Sequence, residues 1–192
     1  MNKNVYLGIT ATITTLITYS LPVVASSSFE QSMDFNGDGK TDLFWKNINN
    51  GDTTAWLMNG NTILNRSTYD NVPDSSGWYI QNFGDFNGDG KTDVFWRNFN
   101  NGDTATWLMN GNTILARSTY DNVPNSSGWS IQGFGDFNGD GKTDVFWRNF
   151  NDGNTTTWLM NGNTILARSA YDNVPVSSGW YSGGIYDYYH LD

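Results

Sequence analysis

Short apolar runs, separated by glycine, asparagine and aspartate, recur through most of the chain. In one stretch they fall at Tyr79 to Phe86, Val94 to Phe99, Thr104 to Met109 and Thr113 to Tyr120. Runs of this length, rich in β-branched and aromatic residues and bounded by turn formers, predict β-strands. Asn101-Gly102 separates the second run from the third, and Asn110-Gly111 the third from the fourth. Such pairs predict tight hairpins. The turns return as Asn50-Gly51 and Asn59-Gly60 on one side, and as Asp152-Gly153 and Asn161-Gly162 on the other. The pattern predicts an all-β domain of four-stranded antiparallel units.

The unit repeats with a period of 51 residues, at about 27–77, 78–128 and 129–179. Four antiparallel strands in about 50 residues describe one propeller blade. The expected fold is thus a β-propeller-like array of three blades, with a β-trefoil as the alternative. The array ends irregularly. Residues 180–188 align with a first strand, Trp180 with Trp78 and Asp187 with Asp85, while the first strand of the first unit, Ser27 to Phe35, lacks that Trp. Propellers typically close with 4–8 blades, so three blades predict a homo-oligomer, most simply a dimer with six.

Between the first and second strands of each unit stands Asp-Phe-Asn-Gly-Asp-Gly-Lys-Thr-Asp, letter for letter, three times. Side-chain oxygens fall at positions 1, 3, 5 and 9. These are Asp34, Asn36, Asp38 and Asp42; Asp85, Asn87, Asp89 and Asp93; and Asp136, Asn138, Asp140 and Asp144. Lys40, Lys91 and Lys142, at position 7, can add a backbone carbonyl. Three carboxylates this close repel unless a cation sits among them. Hard oxygens on alternate residues suit Ca²⁺, so the spacing predicts one calcium per loop. The first six letters match an EF-hand loop, but position 12 is Trp45, Trp96 or Trp147 where that loop needs Glu. The other reading of the same residues is a plain Asp-Gly turn.

Asp-x-Asn-x-Asp-Gly-x-x-Asp before an apolar strand resembles the FG-GAP or VCBS-type repeat, and Phe-Gly-Asp-Phe at 83–86 and 134–137 matches the start of that motif. The resemblance covers about residues 27–188. It implies blades of an integrin-α-like or lectin-like propeller, and calcium in the loops.

Nine of the 19 acidic residues belong to the three loops, and the net charge is −9. The acidity therefore reads as metal sites, and the absence of a basic patch excludes a nucleic-acid partner. Residues 1–25 read as a secretory signal: Lys3, an apolar run from Val5 to Val24, and Val23-Val24-Ala25 before Ser26. An uncleaved anchor is the alternative. A signal implies a secreted or cell-surface protein with no membrane segment after cleavage. There is no Cys, so metal takes the place of disulfides as a staple.

The Trp residues after Phe in the second strand, and Trp56, Trp107 and Trp158 in the third, read as blade-to-blade core. Trp78, Trp129 and Trp180 follow Ser-Ser-Gly in a polar connection, which predicts exposure. Tyr69-Asp70, Tyr120-Asp121 and Tyr171-Asp172 lie near the same connection. An aromatic ring beside polar side chains can take a sugar, so these nine residues form a candidate ligand site; a packed Tyr with a turn-forming Asp is the other reading. No nucleophile elbow or phosphate loop occurs, and the one His is His190 near the end. The expectation is a non-enzymatic, calcium-binding module for neutral glycans or cell-surface and matrix proteins, with a purely structural repeat module or a remnant of a larger secreted protein as the alternative and a glycan-active enzyme as a distant third.

Overall fold

Large apolar residues in the strands are followed directly by other large residues, as in Val94-Phe95-Trp96. Successive side chains of a strand point to opposite faces, so such a run asks for burial on both sides of its sheet. The computed structural model describes residues 33–180 and 182, and in it the runs form three sheets. Blade 1 comprises β1 (Leu43–Lys46), β2 (Asp52–Asn59) and β3 (Thr62–Asn71). Blade 2 comprises β4 (Trp78–Gly84), β5 (Asp93–Asn98), β6 (Asp103–Asn110) and β7 (Thr113–Asn122). Blade 3 comprises β8 (Trp129–Gly135), β9 (Asp144–Asn149), β10 (Asn154–Asn161) and β11 (Thr164–Asn173).

Each sheet is an antiparallel meander in chain order, and among the described residues no strand pairs with a strand of another unit. A trefoil joins strands of different units in one barrel, so this topology decides for the blade array. The expected first strand of blade 1 lies largely outside the described residues. The amino-terminal segment 1–25 and the partial strand at 180–188 lie outside them too, apart from Trp180 and Ser182.

Turn chemistry fixes the register. Met109 pairs with Ile114 and Asn110 with Thr113, leaving Gly111-Asn112 as a two-residue turn. Gly111 has φ +57°, and among the described residues none other than glycine has positive φ. A glycine first and an ordinary residue second is the type II′ pattern, whose twist suits a hairpin. Pro73, Pro124 and Pro175 then start single 3-10 turns that carry the chain onward.

Burial follows position in the stack. Trp96 packs with Trp107 at 4.7 Å, and Trp147 with Trp158 at 4.7 Å. The Trp96 pair lies in a core shared with Phe35, Leu57 and Val72 of blade 1, and the Trp147 pair in one shared with Phe86, Phe95 and Val123 of blade 2. Trp96 and Trp147 are each 1 % exposed, whereas Trp45 is 48 % exposed although it also packs on its partner Trp56. The expectation of blade-to-blade core thus holds for the second and third units. In the first unit that face has no described blade before it, and the correction is one of place, not of residue type.

Candidate metal loops and inter-blade clefts

Two glycines let each loop coil back on its first aspartate. Gly88 and Gly90 have φ +78° and +79°, a region open to glycine at little cost. Asp85 Oδ1 accepts N–H bonds from Gly88 (2.6 Å) and Asp89 (3.2 Å), and Oδ2 accepts from Gly90 (2.7 Å). Asn87 Oδ1 accepts from the Asp89 N–H (2.9 Å), and Asp89 Oδ1 from the Lys91 N–H (2.9 Å). The first loop repeats this on Asp34, Asn36 and Asp38, the third on Asp136, Asn138 and Asp140. Each position-5 carboxylate also meets the position-7 ammonium, as in Lys40–Asp38 at 2.9 Å. The Lys40 hydrogen bond holds the Asp38 carboxyl below the usual carboxylate range.

The position-9 aspartate has a second task that the sequence pattern does not announce. Asp93 is fully buried, and its oxygens accept N–H bonds from Phe86 (3.0 Å) and Met109 (2.8 Å). Asp42 binds Phe35 (2.9 Å) and Met58 (2.8 Å) in the same way, and Asp144 binds Phe137 (3.0 Å) and Met160 (2.8 Å). Burial pushes the Asp93 carboxyl up to about 7, with the charges of Asp89 and Asp85 adding to the shift against the two N–H bonds. Asp42 and Asp144 are raised for the same reasons, burial first.

The donor set fits a hard cation in kind: side-chain oxygens on alternate residues, a carbonyl at position 7, and a buried carboxylate held by two N–H groups. Among the described residues no three Asp, Glu, His or Cys side chains converge into a metal-holding group. A cation here would have to draw on Asn and carbonyl oxygens as well as on the carboxylates.

The loops also join the blades. The Thr92 N–H donates to Asp34 O (2.8 Å), and the Asp34 N–H to Thr92 Oγ1 (2.8 Å). One unit later the Thr143 N–H donates to Asp85 O (2.6 Å). Gly84 is needed at this seam, because a Cβ there would lie 2.6 Å from Thr143 Oγ1.

The candidate ligand residues fall into two groups. Tyr69 and Tyr120 are half-buried and serve packing. The Tyr69 hydroxyl donates to Gly111 O in the next blade (2.9 Å), and the Tyr120 hydroxyl is bonded to Thr106 (2.8 Å). Burial raises the pKa of both phenols. Tyr171, bonded to Thr157, is 58 % exposed because no described blade follows it. Asp70 and Asp121 form ion pairs across blades, with Arg117 and Arg168. Each of these guanidiniums also lies over a Trp of its own blade, Arg117 at 5.3 Å from Trp107 and Arg168 at 5.0 Å from Trp158. Trp78 and Trp129 are half-buried against the cores, so the expected exposure holds for Trp180 alone, at 72 %.

What the structure does bring together is a cleft between successive blades. The first, of about 300 Å³, has Asp70, Trp78, Trp96, Trp107 and Arg117 in its walls. The second, of about 620 Å³, has Asp121, Trp129, Trp147, Trp158 and Arg168 in its walls. Asp172 and Trp180 line a third opening beyond blade 3, of about 580 Å³. The indole N–H groups of Trp96 and Trp147 are buried without a hydrogen-bond partner. In the sequence these two Trp read as core, and the arginines carry no signal beyond their recurrence three residues before each Tyr-Asp pair.

The repeated unit has a recognised relative. A family model described as the FG-GAP-like repeat matches residues 34–96 and again residues 85–147, together more than half of the chain. Each match opens on the first aspartate of one loop and closes on the buried Trp after the next. Comparisons with curated proteins and with solved structures find no match. Loop, strand order and family model agree, and the chain belongs to the FG-GAP-like repeat family.

Proposed function

We propose that this chain is an extracellular, calcium-loaded binding module that takes neutral, hydroxyl-rich ligands, glycans foremost, in the clefts between its blades. The observation that carries the ligand reading is the pair of equivalent clefts, each holding a buried indole N–H with no acceptor. A ligand hydroxyl supplies that acceptor while the Trp rings cover its apolar C–H faces. Asp70 and Arg117, or Asp121 and Arg168, stand at the same walls and offer further acceptors and donors. Equivalent weak sites on one molecule gain about 10²–10⁴ in avidity on a polyvalent surface. An extracellular place agrees with the family, whose repeats typically occur in extracellular proteins. Among the described residues no helix is long and apolar enough to cross a membrane.

In the loops, Asp34, Asn36, Asp38 and the Lys40 carbonyl, with their equivalents, would hold Ca²⁺. Asp42, Asp93 and Asp144 contribute negative charge from beneath while fastening the loop to its blade. Calcium would be held by carboxylate, amide and carbonyl oxygens together, since the described carboxylates do not converge by themselves.

The test is binding to polyvalent neutral glycans with calcium present, comparing the native chain with Trp96→Phe and Trp147→Phe. Phe keeps a six-membered aromatic ring and removes the pyrrole part of the indole with its N–H donor. Each substitution should weaken binding by about 3–10-fold, the worth of one hydrogen bond, in a chain that still folds but melts somewhat lower because the smaller ring leaves space in the core. No binding across a broad panel would favour the second reading, a structural repeat. That reading draws on the cross-blade bonds of Tyr69, Asp70 and Asp121, which already employ three of the candidate ligand residues.

A further inference from the structure

The two ends of the blade stack carry opposite halves of one interface. Within the chain, blade 2 meets blade 3 through a fixed set of contacts. Phe86 and Phe95 face Trp147 and Trp158 in a common core, Asp121 pairs with Arg168, Asp85 O accepts the Thr143 N–H, and Phe86 O accepts the Gly162 N–H at 2.7 Å. Blades 1 and 2 meet through the residues one period earlier, with Asp70–Arg117, Asp34 O–Thr92 and Phe35 O–Gly111 (2.6 Å).

The outer face of blade 3 repeats the leading half of this set without change: Phe137, Phe146 and Asp172. The outer face of blade 1 repeats the receiving half without change: Thr41, Trp45, Trp56, Gly60 and Arg66. Burial shows that both halves are open. Phe35 and Phe86 are fully buried, but Phe137 is 50 % exposed, just as Trp45 is exposed where Trp96 and Trp147 are not. Arg66 already lies over Trp56 at 5.9 Å, as Arg117 and Arg168 lie over theirs, yet among the described residues it has no carboxylate partner. Trp180 stands where Trp78 and Trp129 stand after their connectors. Arg148 Nη1 donates to Trp180 O (2.8 Å), as Arg97 Nη2 does to Trp129 O (3.2 Å). The chain is thus set to begin a further blade beyond blade 3.

We propose that this further blade is blade 1 of a second copy of the chain, docked head to tail through Phe137, Phe146 and Asp172 on one side and Trp45, Trp56 and Arg66 on the other. Docking would complete the third cleft, with Asp172 and Trp180 from one copy and Trp45, Trp56 and Arg66 from the other. Two copies joined this way supply six blades and two identical joints, a count within the range at which propellers close. The match is not complete: where Phe83 and Phe134, Trp78 and Trp129, and Val94 and Val145 enter the inner joints, the sequence of the first unit has Ser32, Ser27 and Leu43.

The test is the mass in solution of the native chain and of two variants, each altering one exposed end residue, Trp45→Arg and Phe137→Arg. The native chain should have the mass of two copies at micromolar concentration. Each variant alone should be monomeric, since every joint needs both faces. An equimolar mixture should recover a dimer, because one sound joint remains. A native monomer, a variant that stays dimeric, or a mixture that stays monomeric would each overturn the proposal. If either variant fails to fold, the chain's lack of cysteine offers a second route. A protein carrying Arg66→Cys and Asp172→Cys, treated with a short bismaleimide, should cross-link between copies. Cross-linking only within one chain would overturn it equally.

Discussion

Asp93 and Met109 are joined across the second blade: the Met109 N–H donates to Asp93 Oδ1 at 2.8 Å in the protein interior. The other oxygen takes the Phe86 N–H, so one side chain binds the loop's beginning, its end and β6. Asp93→Ala leaves two buried N–H groups without acceptors. Each such group costs about 1–3 kcal/mol, so a loss of about 2–6 kcal/mol is expected in urea unfolding, calcium or no calcium. A loss under 1 kcal/mol in chelator would mean that the two bonds are dispensable.

The same residue sets a pH dependence in metal-free protein. Its carboxyl is raised to about 7 in the folded state, against an ordinary value near 3.8. The folded state therefore binds more protons than the unfolded one between these values, and stability falls as pH rises. The contribution is fully present below about pH 4 and is lost through pH 7. Asp42 and Asp144 shift in the same direction. Asp38 shifts the other way, but its effect acts where pH falls below the ordinary carboxylate range. In chelator, melting temperature should decline from pH 4.5 to pH 8, and Asp93→Asn should flatten the decline. A rising melting temperature in chelator would contradict this assignment.

The blade joints should divide sharply between ring packing and charge. Trp107 is buried against Trp96, and Trp107→Ala should cost about 3–5 kcal/mol. The Asp70–Arg117 pair is largely exposed, and Asp70→Asn should cost less than about 1 kcal/mol. Chemical denaturation of the two variants checks both. Equal costs would mean that charge holds the joint as firmly as the rings do.

The strands and their turns are legible because both are local. Asn110-Gly111 marks its hairpin, and Val94-Phe95-Trp96 its two-faced strand, within a few residues. The Trp pairs are legible as core because they recur at equivalent places. What escapes is whatever depends on a blade's neighbours. Trp45 and Trp96 have matching neighbours, Phe before and a cation after, yet differ in burial because only one has a described blade in front of it. Asp70 and Arg117 lie 47 residues apart and meet only when two sheets dock. Trp78 follows Ser-Ser-Gly in a polar stretch, but the 3-10 turn after Pro73 brings it onto the core. The double duty of Asp93 is hidden for a further reason: its spacing in the loop already accounts for it as a metal ligand, and nothing in the sequence signals the bond to Met109.

Calcium titration by calorimetry, followed by melting with and without chelator, tests the loop chemistry most directly. About three Ca²⁺ should bind per chain. At the affinities of extracellular modules, with Kd of roughly 10⁻⁴–10⁻³ M, each site at ten times Kd adds about 1.4 kcal/mol. Three sites add about 4 kcal/mol, and chelation should lower the melting temperature by about 10 °C. No heat of binding and an unchanged melting temperature would show that the loops are turns alone.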